Sequence, residues 1–318
     1  MNAQGTIVSR FELADCALCG ARERAELYRF DFDSEIAAIV QCSKCRLVYS
    51  SPRPTPDSLG SFYGSNYYSF GAPALPDAAA PPSTKEKLRR AILVRHLAYP
   101  DALDTGSKAP HSMTAILGRF MALPRFVPNG RLLDVGCGSG ERMLEFQSFG
   151  WQVAGLEFSD EAAKASQSVG LDIRTGSIES TDFAPESFDC ITFYHSLEHV
   201  YDPATSLAAA HRLLKPGGQL LVAVPNFGSS ERRIFGRNWG WLQMPTHLFH
   251  FSKQTLGQFV TKAGFAEVEI RPSFHGYSVD GAIFGAVRKP VELLLKFYAL
   301  AAAIMGDGKA LTLTAVKG

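Results

Sequence analysis

Short apolar runs alternate with longer stretches of helical periodicity through most of the chain. The apolar runs predict strands at 131–135, 151–156, 171–174, 188–194, 219–224, 266–271 and 310–316. The periodic stretches predict helices at 85–97, 113–123, 141–149, 160–169, 203–214, 253–263 and 290–304. Strands that alternate with such helices predict a Rossmann-like α/β fold, with a doubly wound, mostly parallel seven-stranded sheet.

The segment that joins the first of these strands to the next helix is the most informative one. It reads Leu132-Leu-Asp-Val-Gly-Cys-Gly-Ser-Gly140, so an apolar strand runs through an acid into a turn with three glycines. Glycine lets the backbone turn tightly and approach a ligand, and the helix that follows offers free N–H groups. Glu157 closes the next strand, at the position where an acid binds ribose hydroxyls in open α/β sheets. The pattern predicts a nucleotide-type ligand.

Several segments, taken in order, resemble the class I S-adenosylmethionine (SAM) dependent methyltransferases. They are Asp134-Val-Gly-Cys-Gly-Ser-Gly140, Gly155-Leu-Glu-Phe-Ser159, Asp189-Cys-Ile-Thr-Phe-Tyr-His-Ser-Leu-Glu-His-Val200, Leu213-Leu-Lys-Pro-Gly-Gly218 and Val224-Pro-Asn226. An NAD-dependent dehydrogenase is the competing interpretation of the glycines. The G-x-G-x-G spacing, in place of G-x-G-x-x-G, and the Leu-Lys-Pro-Gly-Gly turn disfavour it. The resemblance also implies that 310–316 is an antiparallel strand inserted near the sheet edge.

The resemblance implies a set of residues that bind SAM. They are Asp134, Gly136, Gly138, Gly140, Glu157, Phe158, Ser177, Ile178 and His195. The glycines would meet the methionine and ribose parts, and Asp134 would orient their turn. Glu157 would take both ribose hydroxyls, while Phe158 and Ile178 would sandwich the adenine. Ser177 stands where the family often has an aspartate for the adenine amino group.

Catalytic candidates follow the fourth and fifth strands of the sheet. Tyr194 and His195 end the fourth strand, at the edge where ligands bind in such folds. His247 lies in a Pro-x-His-Leu-x-x-Phe-Ser segment that resembles the part closing over substrate in small-molecule methyltransferases, and an imidazole suits a general base. The alternative is that His247 only holds its loop by hydrogen bonds. His199 is more often a structural partner in this motif.

Four cysteines dominate the N-terminal part. Cys16-x-x-Cys19 and Cys42-x-x-Cys45 predict a tetrahedral cage of four thiolates in a zinc ribbon. Four thiolates leave no open position, so the zinc is expected to be structural. A redox dithiol or plain buried cysteines are the alternative. The predicted domains are a zinc ribbon at 1–70, a linker and helical segment at 71–112, and a methyltransferase domain at 113–318.

An aromatic cluster at 62–68 follows the ribbon. Together with the cysteines it resembles the N-terminal module of bacterial methyltransferases that act on sugars and secondary metabolites. The cluster either lines a substrate site or packs the ribbon onto the main domain. Three arginines, Arg232, Arg233 and Arg237, would suit a phosphate-bearing sugar or lipid-carrier substrate, or form an ordinary solvated loop.

Bulk properties narrow the function classes. The chain has 318 residues, a net charge of +1 and no long basic patch, which disfavours nucleic acid as a partner. No basic-then-apolar leader opens the sequence, and no apolar run reaches the roughly 18 residues of a membrane span, so a cytoplasmic protein is expected. The apolar segment 291–305 is interpreted as a helix covering the sheet, with an oligomer or membrane contact as alternatives.

The leading interpretation is therefore methyl transfer from SAM to a small-molecule acceptor. The acceptor would be a hydroxyl, or an activated carbon, of a sugar, glycan precursor or secondary metabolite. A ribosomal RNA methyltransferase with a zinc-ribbon RNA-binding module is the second enzyme hypothesis. A non-catalytic SAM-binding scaffold is the remaining alternative.

Overall fold

The computed structural model describes residues 9–63, 81–104, 106–273, 298, 301–302 and 304–318. The N-terminal strands are β1 (Phe11–Glu12), β2 (Arg24–Phe32), β3 (Glu35–Cys42), β4 (Val48–Ser50) and β5 (Arg53–Pro54). The helices before the large sheet are α1 (Pro56–Leu59), α2 (Thr84–His96) and α3 (His111–Gly118). Three short 3-10 helices lie within the described residues at Gly60–Phe62, Asp101–Leu103 and Gly236–Asn238.

The large sheet and its helices occupy the rest of the described chain. Up to residue 213 the elements are β6 (Arg131–Val135), α4 (Glu141–Ser148), β7 (Gln152–Glu157), α5 (Asp160–Gln167), β8 (Asp172–Thr175), β9 (Phe188–Tyr194) and α6 (Pro203–Leu213). After it come β10 (Leu214–Pro225), α7 (Ser230–Phe235), β11 (Phe249–His250), α8 (Lys253–Lys262), β12 (Phe265–Ser273) and β13 (Ala310–Lys317).

The large sheet has seven strands in the order β12-β13-β10-β9-β6-β7-β8. Its strands β8, β7, β6, β9 and β10 are parallel, whereas β13 runs antiparallel to both β10 and β12. The predicted doubly wound sheet with an antiparallel insertion is confirmed. The strand order reverses between β6 and β9, and ligands of open α/β sheets bind at the carboxyl ends beside such a switch point.

Burial explains why the central strands are almost wholly apolar. Leu132, Leu133, Ile191 and Val222 are fully buried, because helices cover both faces of a parallel sheet. Local signals set where the helices begin. For example, Ser252 accepts a hydrogen bond from the backbone N–H of Thr255 in a capping box, as its cap-like position before α8 predicts.

The observed boundaries differ from the predicted ones in a few places. The strand β10 begins five residues earlier than predicted, at Leu214, because the chain pairs with β9 there before a bulge. Helix α7 was not predicted, since six residues capped by Ser229 carry too little periodicity to be recognised. Most of the predicted helix 290–304 lies outside the described residues, as do Tyr67 and Tyr68. No helix of the described chain is long and apolar enough to span a membrane.

A second sheet joins the N-terminal part to the rest of the chain. Its order is β11-β4-β3-β2, and in it Phe249 pairs with Tyr49 and His250 with Val48. The sheet therefore contains a strand from each side of the predicted boundary at residues 71–112. This pairing brings the segment that carries His247 against the predicted zinc ribbon.

Candidate active site

The glycine turn after β6 has the conformation that its sequence requires. Gly136, Gly138 and Gly140 all have positive φ angles, of 71°, 53° and 79°. Gly136 also lies so close to the start of the next segment that an added Cβ would be 2.5 Å from Cβ of Ser196. Its backbone N–H donates to the carbonyl of Leu156 at 2.8 Å. The turn is thus fastened between the carboxyl ends of β6, β7 and β9.

Glu157 is bonded to that turn. Its Oε2 accepts a hydrogen bond from the backbone N–H of Gly138 at 2.8 Å, and its Oε1 accepts one from the N–H of Ser159 at 3.0 Å. A carboxylate has about four lone-pair sites, so each oxygen keeps capacity to accept a further hydrogen bond. These two bonds tie the orientation of the carboxylate to the glycine turn, and its predicted binding of ribose stays a prediction.

Asp134 lies behind the turn rather than in it. Its side chain is 2% exposed, and its Oδ1 accepts a hydrogen bond from Thr192 Oγ1 on β9 at 2.7 Å. Burial raises the pKa of Asp134 to about 6, against the opposing effects of that hydrogen bond and of Arg142. This bond joins β6 to β9 beneath the glycine turn, and the role of Asp134 in orienting the turn stays a prediction.

Of the three residues predicted to surround adenine, two are exposed and one is buried. Phe158 is 69% exposed beside Glu157, an open position for a large ring, as a stacking role requires. Ile178 is only 2% exposed and packs in the main apolar core, so its side chain does not line an open surface. Ser177 is exposed and its hydroxyl contacts that of Ser180 at 3.1 Å.

His195 occupies a strained position at the end of β9. Its φ angle is +51°, which is uncommon for a residue with a side chain and is often found at functional sites. Its Nδ1 is 3.3 Å from Oε1 of Glu198, and its ring lies against that of Trp241 with centroids 5.0 Å apart. The carboxylate favours the tautomer with the proton on Nδ1, which places the lone pair on Nε2.

Tyr194, the other candidate on this strand, faces a different way. Its hydroxyl donates to the carbonyl of Ala122, and its ring lies 3.8 Å from the guanidinium of Arg142. Burial raises the pKa of this phenol far above its usual range. The described contacts therefore pack Tyr194 between the segment that follows α3 and helix α4, and they provide no observation for the predicted catalytic role.

Glu198, His199 and His247 form a compact cluster beside His195. Their ligand atoms all lie within 4.8 Å of one another, and the rings of His199 and His247 are perpendicular with centroids 4.5 Å apart. His199 Nδ1 lies 3.0 Å from the carbonyl of Thr246 and 3.1 Å from the hydroxyl of Tyr63. The cluster thus combines the end of β9, the His247 segment and a tyrosine from the N-terminal part.

Two atoms of this cluster are buried without a hydrogen-bond partner in the described part of the chain. They are Glu198 Oε2, on a side chain that is 0% exposed, and Nδ1 of His247, which is 2% exposed. Leaving such an atom unpaired costs about 1–3 kcal/mol, so native structures retain few of them. Two of the seven such atoms in the described part of the chain lie in this one cluster.

Burial sets the charge state of the histidines. Burial, and then repulsion from His199 and His250 whenever those rings are protonated, hold the pKa of His247 well below its usual range. Burial also lowers the pKa of His199, against the attraction of Glu198, and lowers that of His250 to about 3. All three imidazoles are therefore neutral at physiological pH, and each neutral ring keeps one nitrogen lone pair.

The N-terminal sheet holds the His247 segment in place. Ser50 Oγ donates to the carbonyl of His247 at 3.0 Å, and the backbone N–H of Ser50 donates to the carbonyl of Leu248 at 2.9 Å. On the other side, the N–H groups of Leu248 and Phe249 both donate to the carbonyl of Glu198. His247 is consequently positioned by both the ribbon and the end of β9.

The predicted metal ligands come together in the structure. Cys16 Sγ is 3.3 Å from Cys45 Sγ, Cys19 Sγ is 3.6 Å from Cys42 Sγ, and all four sulfurs lie within 4.8 Å of one another. Zinc–sulfur bonds of about 2.3 Å in a tetrahedron require sulfur separations near ~3.8 Å, which these positions fit. Gly20 and Arg46, each following a second cysteine, have φ angles of 72° and 68° and complete two matching turns.

The three arginines lie on and after α7 and are held differently. Arg232 donates through Nε to the carbonyl of Phe227 at 2.9 Å and covers the Phe227 ring. Arg237 lies 4.9 Å from the ring centroid of Phe30. Arg233 is exposed, and its guanidinium donates to Ser230 Oγ at 3.2 Å. All three side chains therefore have contacts within the chain, and their predicted binding of phosphate stays a prediction.

Sequence reasoning had singled out neither Glu198 nor Tyr63 as part of this cluster. Glu198 follows His195 by three residues and directly precedes His199, and an acid so close to two histidines was a signal that could have identified it. Tyr63 lies 136 positions from His199, so no local pattern joins them.

Comparison with known proteins agrees with this geometry. A family model described as a methyltransferase domain matches residues 106–270, just over half of the chain. A ubiquinone biosynthesis O-methyltransferase from Xanthomonas campestris pv. campestris is 35% identical over 132 residues, which are 39% of this chain and 54% of that protein. The corresponding protein of Xanthomonas oryzae pv. oryzae is 34% identical over the same length. The chain spans about half the length of these curated relatives.

Solved structures of methyltransferases are also similar. Phosphoethanolamine N-methyltransferase 2 of Haemonchus contortus, in complex with S-adenosyl-L-methionine, is 16% identical with a TM-score of 0.44, and the match covers 92% of this chain and 71% of that one. A SAM-dependent methyltransferase from Archaeoglobus fulgidus is 18% identical with a TM-score of 0.46, covering 73% of this chain and 94% of that one.

Proposed function

The chain belongs to the methyltransferase domain family, and from this premise we propose that it transfers a methyl group from SAM to a small-molecule hydroxyl or activated carbon. The observation that carries the proposal is the glycine turn bonded to Glu157, with a cluster of neutral histidines at the same edge of the sheet. A nucleoside site and proton-accepting groups side by side are what methyl transfer to a weakly acidic group needs.

The cofactor would lie against the glycine turn. N–H groups at the start of α4 would be available to it, and Glu157, which is bonded to the turn, would also accept hydrogen bonds from the ribose hydroxyls. Phe158 would cover one face of the adenine. When bound, SAM supplies an electrophilic methyl on a sulfonium, and the chain's own groups have to place the acceptor in line with the departing sulfur.

His195 is the group we assign to the acceptor's proton. Glu198 keeps the proton of the His195 ring on Nδ1, so Nε2 takes the proton of the acceptor hydroxyl or carbon as that atom bonds to the methyl. The electron pair of the broken methyl–sulfur bond stays on sulfur and neutralises the sulfonium. Glu198 stabilises the imidazolium that forms, since the carboxylate lies 3.3 Å from the ring.

A sugar, glycan precursor or secondary metabolite is the acceptor class we propose. The resemblance of the N-terminal module to sugar-modifying methyltransferases supports it, and the name of the Xanthomonas relatives describes an O-methyltransferase of a small molecule. The cysteine cluster is proposed to hold a structural zinc ion. A net charge of +1 offers little attraction to RNA, which makes ribosomal RNA methylation the weaker alternative.

Replacement of His195 tests this assignment. His195→Ala is expected to bind SAM with unchanged affinity in calorimetry but to lose about 10²–10⁴-fold in turnover, the range of general-base catalysis. Trp241→Phe, which keeps a ring against His195, is the matched control and should retain most turnover. The assay uses methyl-labelled SAM with a panel of sugars, phenols and bulk RNA. Absence of SAM binding by the wild-type protein would refute the proposal as a whole.

A further inference from the structure

We propose that Glu198, His199 and His247 bind a divalent metal ion beside the acceptor, separate from the ion of the cysteine cluster. The three residues offer one carboxylate oxygen and two imidazole nitrogens, all within 4.8 Å of one another. Two imidazoles and one carboxylate are a donor set typical of zinc, manganese and ferrous iron. Three protein ligands leave further coordination positions open, as in a catalytic rather than a structural site.

The buried polar atoms are what distinguish this cluster from an ordinary group of histidines. Glu198 Oε2 and His247 Nδ1 have no hydrogen-bond partner among the described residues, and both side chains are more than nine-tenths buried. The other oxygen of Glu198 is already used, because it accepts from His195. A single cation bound between these two atoms would satisfy both of them.

Neighbouring backbone groups orient both histidines as metal ligands. The Nδ1 of His199 donates to the carbonyl of Thr246, which places its lone pair on Nε2. His247 has a hydrogen bond with the backbone of Trp241, and its unpaired Nδ1 carries the lone pair. Ligand histidines usually donate their other ring N–H to a carbonyl or carboxylate in this way.

The three ligand atoms would have to move only slightly closer together to bind one ion. Bonds of about 2.1 Å in a tetrahedral site correspond to ligand separations of about 3.4 Å, somewhat shorter than the upper limit of 4.8 Å found here. The His247 segment is held by hydrogen bonds on both sides, so the closure would come from rotation of side chains.

The ion would bind the acceptor as well, a role that rests on the proposed function. A hydroxyl bound to a divalent cation loses its proton more readily, and His195 lies on the other oxygen of Glu198 to receive it. Acceptors with two neighbouring oxygen atoms, such as vicinal diols and catechols, would fill two open coordination positions. This narrows the proposed acceptor class to molecules that chelate.

Manganese binding tests the site without reference to turnover. Protein whose cysteine cluster is loaded with zinc is titrated with Mn²⁺, and free Mn²⁺ is followed by electron paramagnetic resonance. One equivalent is expected to bind, and Glu198→Gln and His247→Gln should each weaken binding at least about tenfold. The control is His250→Gln, a buried imidazole in the same segment that lies outside the ligand set, and it should bind as the wild type does.

Pulsed electron paramagnetic resonance on the wild-type protein with bound Mn²⁺ keeps the test independent of how the variants fold. Two imidazole nitrogens coupled to the bound Mn²⁺ are expected. Absence of Mn²⁺ binding, a bound ion with no nitrogen coupling, or unchanged binding by a folded Glu198→Gln protein would each overturn the site. SAM calorimetry on the same samples shows whether the nucleoside site is intact, which separates this result from failure of the proposed function.

Discussion

Replacement of Gly136 by alanine tests the structural basis of the nucleoside site most directly. Gly136 has a φ angle of +71°, and an added Cβ would lie 2.5 Å from Cβ of Ser196, with the Ser196 hydroxyl 3.2 Å away. Gly170 is a matched control, because its φ angle is +83° and a Cβ there would meet no described atom within 4 Å. Both substitutions put a side chain on a residue with a positive φ angle. Only Gly136→Ala also creates a steric overlap with a neighbouring residue.

The magnitude follows from adding the two effects. A left-handed conformation costs a residue with a side chain about 1–2 kcal/mol, which is all that Gly170→Ala should lose in free energy of unfolding. An overlap in a packed site costs a further ~1–3 kcal/mol, so Gly136→Ala should lose about 2–5 kcal/mol. Relief of the overlap would displace Ser196 together with its neighbour His195. The damage should therefore reach both SAM affinity and turnover.

Urea unfolding and SAM calorimetry on both variants measure these effects. We expect Gly136→Ala to be the less stable variant and to bind SAM at least about tenfold more weakly, equivalent to about 1.4 kcal/mol. Gly170→Ala should bind SAM as the wild type does. Equal stabilities and equal SAM affinities of the two variants would show that the close approach of the turn to Ser196 is wrong.

Two further predictions follow from burial and from the joined sheets. Because the folded-state pKa of Asp134 is raised to about 6, its ionisation opposes folding, and stability is lost as pH rises from about 4 through 6. Asp134→Asn should therefore gain ~2 kcal/mol of stability relative to the wild type between pH 4.5 and pH 7.5 in urea unfolding, and a constant difference would contradict the raised pKa. Cys42→Ser should lose the proposed zinc ion and lower turnover more than SAM affinity, because the sheet that follows the cysteine cluster holds the His247 segment through Ser50. Cys190→Ser, a buried cysteine outside the cluster, should keep its zinc, and full turnover by a zinc-free Cys42→Ser protein would refute the coupling.

Features that are caused by residues close together along the chain could be predicted from the sequence. The glycine turn and the alternation of strands and helices arise from backbone sterics and burial within a few residues. They were correctly predicted, with the boundaries of β6 and β9 matching to the residue. The cysteine pairs were equally readable, since a CxxC turn brings two thiolates together over three residues.

The local sequence pattern did not predict the direction in which individual side chains point. Phe158 and Ile178 were both assigned to adenine from their positions in a motif, yet one ring is exposed and the other side chain is in the core. Tyr194 and His195 are adjacent, but a positive φ angle at His195 and a bond from Tyr194 to Ala122 orient their side chains differently. These differences depend on packing between elements, which periodicity does not report.

The amino-acid sequence by itself determined the class of fold, the nucleoside-type turn and the four-sulfur cluster, because each depends on neighbours along the chain. Only the tertiary structure decided that β4 pairs with β11, that Tyr63 reaches His199, and that Glu198 and His247 share one buried site. The reason is that these contacts join residues far apart in sequence. Their energies come from burial and hydrogen bonding that exist only after the chain has closed on itself.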